Sequence, residues 1–246
     1  MHRRTIGILG GMGPLATAEF YRRIVLRTPA RSDQEHLHVI LDADPTIPDR
    51  TAALLGRGLD PTPALIAAAR RLEAAGADFL VVPCNTAHAF LPAVQAAITV
   101  PILDMIAEVA AAITQRYPPA TRIGLLATEG TIATGLYDRA LSRYHFQLVV
   151  PDEAVQRLVN QAIERVKQGL LDRQTAALVS PAVDRLAREG VAAIVIGCTE
   201  LSLLPEWQAD LPFVDATTIL ADAAVAIGLG QRPLPAPLSA TCLAST

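Results

Sequence analysis

Two short segments of this chain recur in its second half, a weak internal repeat. Ile6-Gly7-Ile8-Leu9-Gly10 returns as Ile123-Gly124-Leu125-Leu126-Ala127, 117 residues later. Gly76-Ala77-Asp78-Phe79-Leu80-Val81-Val82-Pro83-Cys84-Asn85-Thr86 returns as Gly190-Val191-Ala192-Ala193-Ile194-Val195-Ile196-Gly197-Cys198-Thr199-Glu200, 114 residues later. A repeat at nearly constant spacing predicts two copies of one folding unit. Inside each copy, short apolar or β-branched runs alternate with stretches rich in Ala, Leu and Arg. Strands are expected at 5–9, 37–41, 79–82, Ile102–Leu103, Arg122–Ala127, 146–150, 192–196 and 213–214. Helices are expected at 14–28, 62–75, 87–98, Met105–Arg116, 131–143, 152–169, 175–189 and 217–227. Strands that alternate with helices predict parallel sheets joined by crossovers. The expectation is therefore an α/β fold of two pseudo-symmetric domains, each a mainly parallel four-stranded sheet flanked by helices. The first domain would span 1–115 and take back a C-terminal helix at about 216–230, the second 116–215. Residues 231–246, rich in Pro and Ala and ending past Thr241-Cys242, read as a loose tail.

Composition narrows the partners. With 51% hydrophobic and 18% charged residues among 246, the chain can bury a large core. A net charge of −3 without long runs of one sign predicts neither nucleic acid nor an anionic membrane as a partner. Each long apolar stretch is interrupted before the roughly 18 residues that a spanning helix needs. The start, Met1-His2-Arg3-Arg4 before an apolar run, imitates a secretion signal, but the run stops at Gly10-Gly11-Met12-Gly13-Pro14 as a first strand and turn would. A cytoplasmic protein is expected, with its 3 cysteines reduced.

The repeat places Cys84 and Cys198 at matching points, each directly after a buried strand and before a helix. Open α/β folds bind ligands at that end of the sheet. Either cysteine alone could be a buried structural residue, which behaves as a small hydrophobe. Two at one position suggest more. A helix N-terminus supplies amide donors and positive potential, which should lower a thiol pKa toward neutrality. One thiolate and one thiol across a substrate could take a proton from a carbon and return one to its opposite face, which is racemisation or epimerisation. His88, four residues after Cys84, could tune that thiol or complete a Cys–His nucleophile. A zinc site from Cys84, His88 and Cys198 lacks a fourth ligand. Gly11-Met12-Gly13-Pro14-Leu15-Ala16 has the G-x-G-x-x-A spacing of a dinucleotide loop, but Pro14 removes an amide, so a small-ligand turn is the better reading. Arg50, expected in a loop beyond the second strand, could grip a carboxylate with two parallel hydrogen bonds. Lys167 is the one Lys among 21 basic residues; paired with Arg50 it suggests a substrate with a distal carboxylate, while a lone lysine also raises a pyridoxal phosphate Schiff base as an alternative.

Taken together, Gly10-Gly11-Met12-Gly13-Pro14, Pro48-Asp49-Arg50-Thr51, Pro83-Cys84-Asn85-Thr86-Ala87-His88, Thr128-Glu129-Gly130-Thr131, Val166-Lys167-Gln168-Gly169 and Gly197-Cys198-Thr199-Glu200-Leu201 make the chain resemble the cofactor-independent aspartate/glutamate racemase family, most closely its aspartate racemase branch. The resemblance implies an active site in the cleft between the two domains, a homodimer, no cofactor or metal, and Cys84 and Cys198 as the acid/base pair. It also implies that Asn85, Thr86 and Thr199 hold the α-carboxylate end of a small dicarboxylic amino acid and that Arg50 and Lys167 hold its side-chain carboxylate. Met12, Thr128 and Thr131 would line the pocket. Hydantoin racemases and maleate isomerases share the family, and a non-catalytic binding protein for a small acid would present a similar cleft.

Overall fold

Along each expected strand, successive residues enter different cores. Ile6 and Ile8 face one and Leu9 another, Phe79 and Val81 one and Leu80 and Val82 another, Ile123 and Leu125 one and Leu126 a third. A period of two with both faces apolar is the signature of a sheet covered on each side. The computed structural model describes residues 3–205 and 210–238 and contains two such sheets. The first is built from β1 (Ile6–Gly10), β2 (Val39–Ala43), β3 (Phe79–Val81) and β4 (Ile102–Leu103), in the order β2-β1-β3-β4. The second, from β5 (Arg122–Ala127), β6 (Gln147–Val149), β7 (Ala193–Gly197) and β8 (Phe213–Asp215), has the order β6-β5-β7-β8. All pairings are parallel. The two orders are identical, as the repeat requires.

The helices of the first half are α1 (Pro14–Arg27), α2 (Arg50–Leu54), α3 (Thr62–Ala74), α4 (Leu91–Gln95) and α5 (Met105–Arg116). Those of the second are α6 (Glu129–Ala133), α7 (Leu136–Ser142), α8 (Glu153–Lys167), α9 (Arg173–Ala177), α10 (Ser180–Arg188) and α11 (Ala216–Gly228). After each sheet's last strand an Asp caps the next helix: Asp104 accepts from the Ile106 and Ala107 amides, and Asp215 from those of Thr217 and Thr218. Those two helices then cross over. Helix α5 packs on α7 of the second half, α11 on α1 of the first, and α5 and α11 on each other. A single core of residues such as Phe20, Val109, Tyr137 and Leu220 therefore joins the inner faces of both sheets.

Three expected helices are broken, each at a residue that resists helix continuation. Residues 87–98 become a 3-10 turn, Thr86–Ala89, and the short α4, with Pro92 at the start of the new helix. Residues 131–143 split at Gly135, which is left-handed with φ 63°. Residues 175–189 split before Pro181. Arg50 is not in a loop but opens α2, which Asp49 caps through the Ala52 amide at 2.7 Å. The stretch expected to be loose is held as far as Leu238: Arg232 makes a two-pronged pair with Glu108, at 2.9 and 2.7 Å, and the Leu238 amide donates to Gln95. Cys242 lies outside the described residues. No described helix is long and apolar enough to cross a membrane.

Candidate active site

The carboxyl ends of β3 and β7 carry the two cysteines, and both line one cavity together with Met12, Asp49, Arg50, Thr51, Asn85, Thr86, Thr128, Lys167, Gly197, Thr199 and Glu200. Nine of the ten residues expected at the site are thus brought together. The tenth, Thr131, stands behind the wall. Its hydroxyl lies 2.8 Å from that of Thr86 and accepts from that of Thr128 at 3.0 Å, while Thr86 and Thr128 are 2.9 Å apart. This three-hydroxyl cluster joins the halves directly behind the pocket.

Both thiols are buried, Cys84 7% and Cys198 3% exposed. The lowered pKa values expected from helix N-termini do not materialise, because burial raises both thiols; each strand also runs into a 3-10 turn and not a long helix. Burial pushes the Cys84 thiol up, and the Arg50 charge with its side-chain contact partly offsets that, while Glu200 adds to it. Burial also pushes the Cys198 thiol well above its usual range; the neighbouring Glu200 raises it further, against donation from the Glu200 and Leu201 amides. The thiols are therefore not equivalent. Cys84 has a cation beside it and Cys198 an anion.

Glu200 was not among the residues expected at the site, although the repeat placed it two positions after Cys198. It is 5% exposed and accepts three hydrogen bonds: from Cys198 Sγ at 3.0 Å, Thr199 Oγ1 at 3.2 Å and the Gly13 amide at 3.0 Å. The bond from Gly13 crosses 187 positions of sequence. It also accounts for the glycine-rich turn, whose amides are occupied internally, Gly13 by Glu200 and Gly11 by Thr17 Oγ1 at 2.9 Å. Gly11 has φ 87°, and a Cβ there would collide with the Asp44 backbone. Chain crossing, not a pyrophosphate, fixes this glycine.

His88 does not face the thiol. Its Nδ1 lies 2.9 Å from the Cys84 carbonyl oxygen and so carries the proton, and its Nε2 accepts from the Met105 amide at 3.1 Å. Burial lowers its pKa. Both nitrogens are committed to backbone, which removes His88 as a thiol base or metal ligand and makes it a tie between the Cys84 strand end and α5.

On the other wall, Arg50 Nη1 donates to the Ile47 and Pro48 carbonyls, each at 3.0 Å, which aims the guanidinium. Among the described residues, two buried donors at this cavity lack partners, Arg50 Nε and Asn85 Nδ2. Unsatisfied buried donors are costly, and two that border one cavity suit an anionic ligand. Lys167 Nζ lies 3.6 Å from Asp49 Oδ2, at the mouth. Burial pushes the Asp49 carboxyl up, but the Ala52 amide and the Lys167 and Arg50 charges outweigh it and hold it below its usual range. The thiol cavity measures about 20 Å³, room for on the order of one water. Beyond the Asp49–Lys167 pair lies a wider recess of about 340 Å³ that shares Asp49, Thr51, Thr128 and Lys167. The thiol cavity as it stands is too small for an amino acid, so part of its lining must move to admit one, and the Asp49–Lys167 pair is lining common to both spaces. At 40% and 48% side-chain exposure such a pair contributes about 0–1 kcal/mol, so parting it costs little.

The model of the Asp/Glu/Hydantoin racemase family matches residues 9–224. RacX of Bacillus subtilis, a broad specificity amino-acid racemase, is 31% identical over 235 residues, which cover 92% of this chain and 99% of that protein. Aspartate racemase from Picrophilus torridus superposes with a TM-score of 0.79 at 29% identity, over 92% of this chain and 94% of that one. An aspartate racemase homologue from Pyrococcus horikoshii shares the fold, with a TM-score of 0.72 at 24% identity over 92% of this chain and 99% of that one. From the matched span and these relatives together, the chain belongs to the Asp/Glu/hydantoin racemase family.

Proposed function

We propose that the chain interconverts L- and D-aspartate without a cofactor, by two-base proton transfer between Cys84 and Cys198. One observation carries the reading: two buried cysteines, at equivalent strand ends, line one cavity with a cation beside the first and a carboxylate accepting from the second. Of the two thiols Cys84, with Arg50 beside it, ionises more readily than Cys198, so the productive form of the enzyme has Cys84 as thiolate and Cys198 as thiol. For one enantiomer, Cys84 takes the α-proton, the electron pair is held at the α-carbon and carboxylate, and Cys198 delivers its proton to the opposite face. The pair ends with the proton on Cys84 and the charge on Cys198. The other enantiomer runs the same path backwards. Asn85, Thr86 and Thr199 hold the α-carboxylate, and Arg50 and Lys167 the distal one, with Met12 and Thr128 as walls and Thr131 behind them.

The relative RacX favours a second reading, broad specificity in place of aspartate alone, because one methylene is worth only about 1–3 kcal/mol of discrimination in a pocket. Chiral analysis and deuterium counting after incubation in D2O with L-aspartate, L-glutamate and a panel of neutral and basic L-amino acids separates the two. Racemisation with one deuterium at the α-carbon is expected, fastest for aspartate. Equal rates across the panel support broad specificity; no incorporation into any member refutes both.

The unequal thiols give a further expectation. kcat/KM for aspartate should follow a bell in pH, since one thiolate and one thiol are needed, and the limbs belong to the coupled pair. Glu200→Gln removes the anion that helps to keep the proton on Cys198, so the falling, alkaline limb should move to lower pH. A profile that does not move, or moves up, excludes Glu200 from that role. L- and D-aspartate are equally stable, so kcat/KM must be equal in the two directions; the asymmetry of the thiols can surface only in kcat and KM taken separately.

A further inference from the structure

Tyr137 is 1% exposed and sits on α7, in the second half of the fold. Its ring packs at the end of β7, where a Cβ on Gly197 would lie 3.3 Å from Cε2, one residue before Cys198. Its hydroxyl reaches the other half and donates to Asn85 Oδ1 at 2.6 Å, one residue after Cys84. Asn85 borders the cavity, and its Nδ2 is one of the two buried donors there without a partner.

These facts combine in one direction. A side-chain amide has two ends of nearly equal shape and opposite polarity, and rotation by half a turn exchanges them. Toward a carboxylate, one end attracts and the other repels. Among the described residues, the hydrogen bond that the Asn85 side chain makes is the one it accepts from Tyr137. We propose that Tyr137 is a positioning residue, whose hydroxyl clamps the oxygen of Asn85 so that its NH2 group faces the substrate's α-carboxylate. The inference rests on the racemase reading for the identity of the ligand. It adds that α7, which supplies no wall of the thiol cavity, sets the polarity of that wall. A buried Tyr needs a partner for its hydroxyl in any case, so the alternative is that Asn85 merely satisfies Tyr137. On that view the hydroxyl matters to folding and not to the ligand.

Four forms distinguish these: wild type, Tyr137→Phe, Asn85→Ala and the double variant. Each is assayed for aspartate racemisation and, by calorimetry, for binding of succinate, a dicarboxylate with no α-proton chemistry to perform. Tyr137→Phe keeps the ring and should lower kcat/KM and weaken succinate each about tenfold, the scale of one misdirected buried hydrogen bond. On the Asn85→Ala background the same substitution should change either quantity less than twofold. Asn85→Asp, which still accepts from Tyr137 but has no NH2 group, should lose at least as much as Asn85→Ala, and this keeps the proposal testable if Tyr137→Phe folds poorly. Equal losses on both backgrounds, or no loss in the single variant, overturn it. A wild type that binds succinate with this coupling but does not racemise aspartate refutes the racemase reading alone. One that neither binds succinate nor racemises refutes both.

Discussion

Replacing either Cys84 or Cys198 by alanine should abolish aspartate racemisation in both directions, a loss of roughly 10⁴-fold, the upper range for a positioned general acid or base. Removal of the proton and its return to the opposite face are both required, so neither thiol suffices alone. The two variants should nevertheless differ. A substrate with a β-leaving group, such as 3-chloro-aspartate, needs only the abstracting thiolate: the Cα–H pair forms the new double bond as chloride departs. Each variant should then process one α-configuration and lose the other. Both thiols are raised by burial, but Arg50 beside Cys84 makes it the more readily ionised, while burial and then Glu200 keep Cys198 protonated. The variant that retains Cys84 should therefore eliminate at lower pH than the variant that retains Cys198. Retention of the same hand by both variants, or racemisation near the wild-type rate in either, would show that the cysteines are not the two opposed bases.

Why the strands were legible and the site only partly so has a physical reason. Strand position follows from local apolar runs, and the repeat fixed the pairing of Ile6 with Ile123 and of Cys84 with Cys198 before any contact was known. The breaks at Pro92, Gly135 and Pro181 were also present in the sequence, yet Ala- and Leu-rich periodicity continues across each of them and hides the interruption. The chemical surprise lay elsewhere, because the expected help of a helix N-terminus is outweighed by the burial of both thiols, which local spacing does not reveal. Glu200 and Tyr137 were illegible for another reason. Glu200 matters through Gly13 and Cys198, Tyr137 through Asn85 and Gly197, and those partners lie up to 187 positions away. His88 shows the converse error, where correct spacing along the chain suggested a thiol partner and the fold supplied two backbone partners instead. Sequence spacing identifies which residues reach a strand end; it does not say which of their atoms are already occupied.

Arg50→Ala should cost the most among the binding residues, about 2–5 kcal/mol in kcat/KM for aspartate, or roughly thirtyfold to a few thousandfold. Two losses combine in it. The guanidinium, braced by the Ile47 and Pro48 carbonyls with Nε unpartnered, is placed to take the distal carboxylate, and its charge also favours the Cys84 thiolate. The two can be separated by substrate and by pH. Alanine has no distal carboxylate, so the binding loss falls on aspartate alone, whereas the thiol loss falls on both. The sign of the second effect follows from the position of the charge. Removing a cation raises the Cys84 pKa, and the rising, acidic limb of the bell should move to higher pH, opposite in direction and in limb to the Glu200→Gln shift. Arg50→Lys restores the charge without the planar fork; it should return the limb toward its wild-type position while recovering less of the preference for aspartate over alanine. If Arg50→Ala lowers both substrates equally and leaves the acidic limb in place, Arg50 neither reads the distal carboxylate nor sets the thiolate, and the assignment of that wall to the substrate's side chain fails.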